Sequence, residues 1–131
     1  LTLMTLCRHP GVVAAGSARA SVTDWAHYSD GWTSRILGVP HEDPESYRIS
    51  SPIYYAEGLE DPLLLTHGIL DDNVHFQDAV RLVQRLIELE KDFEVMVYPV
   101  EPHTIATEPA RYDFLRRATR FFEANLLGVR D

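Results

Sequence analysis

Apolar and polar positions are most regularly ordered in the second half of the chain. Pro62 to Thr66 (PLLLT) is a short continuous apolar run ending at His67-Gly68. Continuous apolarity over so few residues predicts a strand covered on both faces, as in a parallel sheet. His75 to Glu90 follows, with Phe76, Ala79, Val80, Val83, Leu86 and Ile87 at i, i+3, i+4 and i+7 spacings. That spacing predicts a helix with one apolar stripe, and Asp72 or Asn73 is placed to cap its first turn. Phe93 to Tyr98 (FEVMVY) reads as a second strand. A last helix opens at Thr107 or Glu108, with Pro109 in its first turn. Its stripe is Tyr112, Leu115, Thr119, Phe122 and Leu126, and Gly128 lies beyond its end. Strand, loop, helix, strand, loop, helix implies parallel strands joined by a right-handed crossover.

The first half is less regular. Leu1 to Arg8 has helical composition and stops at Pro10-Gly11. With no capping residue ahead of it, it reads as the back half of a helix begun upstream. Val12 to Ser17 is a run of small apolar residues and a candidate strand. Residues 18–61, punctuated by Pro40, Pro44 and Pro52, predict helical turns near 25–37 and 43–48 and no sheet. The fold class is therefore α/β, a mostly parallel sheet with helices on both faces.

Composition narrows the partners. The chain has 131 residues, enough for one domain at most, and 45% hydrophobic residues, enough for a core. Its formal net charge of -8, with no Lys/Arg cluster, argues against nucleic acid and anionic membranes. The single cysteine, Cys7, has no disulfide partner within the chain, so a reducing, cytoplasmic compartment is allowed. Cys7 reads as a small buried hydrophobe.

In an open parallel sheet, ligands gather at the carboxyl ends of the strands. Two polar loops fall there, His67 to Phe76 and Pro99 to His103. If the strands are neighbours, Asp71 reaches His103. A carboxylate that orients an imidazole, which in turn deprotonates a hydroxyl, is the arrangement required for nucleophilic acyl transfer. Metal ligation by His67 and His75 together with this pair is an alternative, at a spacing that matches no zinc signature. His9, His27 and His41 read as surface or structural residues. Glu57, Glu60 and Asp61 read as a solvated loop.

The run HGILDDNVHFQDAVRLVQRL, followed by FEVMVYPVEPH, resembles the prolyl oligopeptidase family of serine peptidases. LTLMTLCRHP is similar to that family's helix after the nucleophile. SVTDWAHYSDGWTSRILGVP is similar to its substrate-pocket segment. The resemblance implies the carboxyl-terminal part, residues 1–131, of a three-layer α/β-hydrolase catalytic domain. It implies Asp71 as triad acid, His103 as base and no cofactor. It also implies a pocket of Val22, Trp25, Tyr28, Trp32 and Val74, with Asn73 on the substrate carbonyl. A tight aromatic box suits proline or a small apolar side chain, although aromatics at this spacing also suit an ordinary core.

Two features depart from the family pattern. No G-x-S-x-G occurs in these residues, so the resemblance implies a serine ahead of Leu1, along with any propeller domain. Thr104 follows His103 where the family commonly has Gly. Alone, the 131 residues are expected to be inactive and to fold properly only against the rest of the domain or in an oligomer, which would cover an open sheet edge. The expected activity is hydrolysis of peptide bonds after proline or a small apolar residue. An esterase on the same fold, or an interaction module without catalysis, stays open.

Overall fold

The computed structural model describes residues 1–128. In chain order the elements begin with α1 (Thr2–Arg8), β1 (Gly16–Arg19), a 3-10 turn (Trp25–His27), α2 (Asp30–Leu37) and α3 (Pro44–Ser50). A second 3-10 segment (Pro52–Gly58), β2 (Leu63–Gly68), α4 (Phe76–Glu88), β3 (Glu94–Tyr98) and α5 (Glu108–Phe122) follow. α5 runs into a π-helical turn, Glu123–Leu127, closed by Gly128 in the left-handed conformation.

The three strands form one parallel sheet in the order β1-β2-β3. β2 is central and buried along its whole length. Leu63 and Leu65 meet Leu3 and Leu6 of α1, Ala56 and Leu59, and Ala79, Leu82 and Leu86 of α4. On a strand, alternate residues face opposite sides. Leu64 accordingly joins Met96 and Phe121 around a cavity of about 330 Å³ beneath α5. Buried Phe121 anchors that helix, and the Tyr98 hydroxyl donates to Asp113 at 3.1 Å. Helices therefore lie on both faces of the sheet. No helix of the described residues is long and apolar enough to cross a membrane.

Several expectations need correction. The first strand is Gly16–Arg19, not Val12 to Ser17, and Val12 is 70% exposed. The cause is steric. A Cβ on Gly16 would lie 2.7 Å from Leu6 Cδ1, so the strand begins at a residue without a side chain where it runs beneath α1. The buried face of α4 is Ala79, Leu82 and Leu86, with Asp78 beside them. Val80 and Ile87 are 47% and 57% exposed, so the stripe lies one position around the helix from the expected one. Neither Asp72 nor Asn73 caps α4: the N-cap position is His75, without a side-chain bond. Thr107 occupies the N-cap of α5, but its hydroxyl donates to Glu101 instead. Of the expected α5 stripe, Tyr112, Leu115, Thr119 and Leu126 are exposed, and Phe121 is the buried residue. Asp61 is more than a solvated acid, because it accepts the Gly11 N–H at 2.8 Å.

The corrected α4 face is testable. Leu82→Ala is expected to cost about 2–5 kcal/mol, as for other fully buried leucines. Ile87→Ala is expected to cost about 0.5 kcal/mol or less. Urea unfolding of the two variants side by side checks this, and equal costs would restore Ile87 to the core.

Candidate active site

The site is built where two rim loops touch. β2 ends at Gly68, and a Cβ there would overlap the carbonyl oxygen of Glu101. Glycine thus lets the loop after β2 lie directly against the loop after β3. Backbone bonds fasten the contact: Ile69 N–H donates to the Tyr98 carbonyl at 2.9 Å, and Leu70 N–H to the Glu101 carbonyl at 3.1 Å.

The chain then turns around Asp71, whose side chain is buried. Its Oδ1 accepts the N–H groups of Asn73 at 3.0 Å and Val74 at 2.9 Å. This is an Asx-type turn, in which a short carboxylate substitutes for a backbone acceptor. Oδ2 lies 2.9 Å from His103 Nδ1 and 3.2 Å from His67 Nε2. Burial pushes the Asp71 carboxyl up, but the hydrogen bond to His103 and the Val74 and Asn73 N–H groups outweigh it. The net shift is below the ordinary carboxylate value. An anionic acceptor facing Nδ1 selects the tautomer with the proton there. Nε2 of His103 then carries the lone pair, on a ring whose side chain is 35% exposed.

The second loop is held by Glu101, a buried carboxylate that the sequence reading did not single out. It accepts the N–H of Ala106 at 2.6 Å and of Thr107 at 3.2 Å, as well as the Thr107 hydroxyl. The Thr107 hydroxyl is the main reason its carboxyl lies below the usual value; burial opposes it, and the two N–H groups add to it. From β1, Arg19 Nη1 donates to the His103 carbonyl. The only sequence signal for either residue was an isolated charge near a rim.

Trp25, Tyr28 and Trp32 lie on the first 3-10 turn, just after it, and in α2. They do not share one helix, yet their rings cluster. Trp25 stacks on Trp32 at 6.1 Å, and Tyr28 meets both edge-on at 5.5 and 6.2 Å. Trp32 is 52% exposed, so the cluster is no closed core. The Tyr28 hydroxyl donates to Asn73 Oδ1 at 2.7 Å, joining the aromatic segment to the Asp71 loop. Val74 is buried. Val22 and Trp25 instead border a cavity of about 300 Å³ beside α1, whose lining includes Arg19 and Ser21 but not Tyr28, Trp32, Asn73 or Val74.

A buried polar network anchors this segment to α4. Thr23 Oγ1 donates to the Asp78 carbonyl at 2.9 Å, and Arg81 Nη2 pairs with buried Asp24 at 3.0 Å. Cys7 is buried, and that burial pushes its thiol up to about 11, the reverse of what a nucleophile needs. His75 is exposed, and no group of three or more His, Cys, Asp or Glu side chains among the described residues is arranged to hold a metal ion.

A profile of the prolyl oligopeptidase family matches residues 1–128. The chain belongs to the prolyl oligopeptidase family. Dipeptidyl peptidase 4 of Bos taurus is 34% identical over 126 residues, which are 94% of this chain and 16% of that protein. Dipeptidyl peptidase 8 of Homo sapiens is 32% identical over 129 residues, 96% of this chain and 14% of that protein. The crystal structure of Porphyromonas gingivalis dipeptidyl peptidase 4 superposes with a TM-score of 0.92 at 35% identity, covering 95% of this chain and 18% of that one. The chain thus has the α/β-hydrolase fold of the family and spans less than a fifth of the length of these relatives.

The two rim carboxylates of this family member make stability acid-sensitive with a definite sign. Asp71 and Glu101 both have depressed folded values. Their contribution is present above the unfolded carboxylate value of about 4 and is lost as pH falls through the lower folded values. Asp78, raised chiefly by burial, acts in the opposite direction. The unfolding temperature is expected to drop below about pH 4. Glu101→Gln should flatten that drop, as read by calorimetry across pH. An unchanged slope in the variant would remove Glu101 from the account.

Proposed function

We propose that this chain supplies the acid and base of a serine-type peptidase. The reading rests on the 2.9 Å contact between His103 Nδ1 and the buried Oδ2 of Asp71. The nucleophilic serine comes from outside these residues. His103 Nε2 takes the serine proton as the hydroxyl oxygen attacks the scissile carbonyl. Asp71 stabilises the imidazolium that forms. His103 then passes the proton to the leaving amine, and water releases the acyl group by the same route in reverse.

Peptides are the proposed substrates, in keeping with relatives named dipeptidyl peptidases. The residue before the scissile bond is proline or a small apolar side chain, received by Val22, Trp25, Tyr28, Trp32 and Val74. The Tyr28 bond to Asn73 Oδ1 turns the Asn73 amide so that its N–H₂ is left for a substrate carbonyl. The remainder of the catalytic domain, or an oligomer, pairs along the outer edge of β1. Net charge leaves no basic footprint for nucleic acid.

In the protein that carries this chain, His103→Ala is expected to lower turnover of a fluorogenic prolyl or alanyl peptide at least about 10⁴-fold with the circular dichroism spectrum unchanged. Near-normal turnover would take His103 out of the mechanism. Turnover of esters alone would turn the reading toward an esterase. No labelling by a fluorophosphonate probe would favour an interaction module.

A further inference from the structure

His67 is a buried titratable group to which the proposed mechanism assigns no part. It is the penultimate residue of β2, its side chain is 1% exposed, and its ring meets Phe76 edge-on at 5.8 Å. Nε2 faces two acceptors, the Val74 carbonyl at 2.8 Å and Asp71 Oδ2 at 3.2 Å. Nδ1 is buried with no hydrogen-bond partner among the described residues.

These contacts choose the tautomer. A proton on Nδ1 would be a buried donor without an acceptor, and the Nε2 lone pair would then face two oxygens. Both arrangements are costly. With the proton on Nε2, the ring donates a forked bond, and only an acceptor is left unpaired. We propose that His67 is a positioning residue that holds Oδ2 of Asp71 against His103 and fixes the Val74 carbonyl in the same grip. The proposal rests on the reading of Asp71 and His103 given above.

The loop's own N–H groups explain why this second ring matters. Asn73 and Val74 donate to Oδ1. They leave the carboxylate free to swing Oδ2 about that anchor. His67 approaches Oδ2 from within the core, while His103 approaches it from the rim. Their combined donation leaves one orientation of the carboxylate that serves both. Val74 is among the residues proposed to receive the substrate side chain, so on that reading one imidazole sets the triad acid and the Val74 backbone together. Misplacing a reacting group by about 1 Å costs on the order of 100-fold, and removal of this restraint is expected to act on that scale.

The test uses the protein that carries this chain. His67→Phe keeps a ring against Phe76 but removes the donor; His67→Gln keeps an N–H within reach. His67→Phe should lower kcat roughly 10- to 100-fold with KM within about twofold. His67→Gln should recover most of the loss. On an Asp71→Asn background His67→Phe should add nothing, because it acts through that carboxylate. Normal kcat in a folded His67→Phe protein, or a full multiplicative loss on the Asp71→Asn background, overturns the proposal. If His67→Phe does not fold, or the wild type shows no turnover, the far-downfield NMR resonance of the His103 Nδ1 proton decides. It should be unchanged in His67→Gln and disappear in Asp71→Asn. Loss of that resonance in folded His67→Leu, with retention in His67→Gln, supports the positioning role; its persistence in folded His67→Leu, or its loss in folded His67→Gln, overturns it. A His103→Ala protein that still turns over sinks the triad reading itself, whatever His67 does.

Discussion

The rim of this sheet is organised around one buried carboxylate. An ionised group taken out of water is tolerated only when its oxygens are met by donors. Asp71 is met by two backbone N–H groups and two imidazoles. That requirement shapes the loop after β2. Oδ1 closes the turn on itself, and Oδ2 points at the neighbouring loop. Glu101 repeats the device for the next loop, gathering Ala106 and Thr107 around itself. The site is thus two carboxylate-centred loops set back to back, with Gly68 permitting their contact.

The same economy ties the aromatic segment to the site. Thr23 and Asp24 bind to Asp78 and Arg81 of α4, and α4 begins where the Asp71 loop ends. Tyr28 reaches Asn73 in that loop. A shift of α4 would therefore move the acid and the aromatic rings together. The proposed specificity and the proposed chemistry share one mechanical support, which is a reason for long-range polar bonds in a segment with little regular structure.

The alternation of strand, loop and helix after residue 62 was legible because burial of β2 on both faces demands an unbroken apolar run and α4 demands a periodic one. The meeting of Asp71 and His103 at one rim followed from that order. Other features were not legible. β1 is made of Gly16, Ser17, Ala18 and Arg19, and nothing in those side chains signals a strand; the close approach of α1 accounts for Gly16. The buried face of α4 includes Asp78, a polar residue that periodicity counts against burial, although Thr23 satisfies it. Glu101 and His67 are buried for local hydrogen bonding, which composition does not reveal.

Asp71 and His103 are 32 residues apart and lie in the loops after two neighbouring parallel strands, with α4 between them in sequence. Such pairings form late, because the intervening chain must close before the contact is made. The consequence is temporal. During synthesis, a nascent chain whose β3 has not docked contains a carboxylate and an imidazole but no working couple. The proposed acid–base couple is therefore assembled only with the finished sheet, and a partly made polypeptide does not yet hold it.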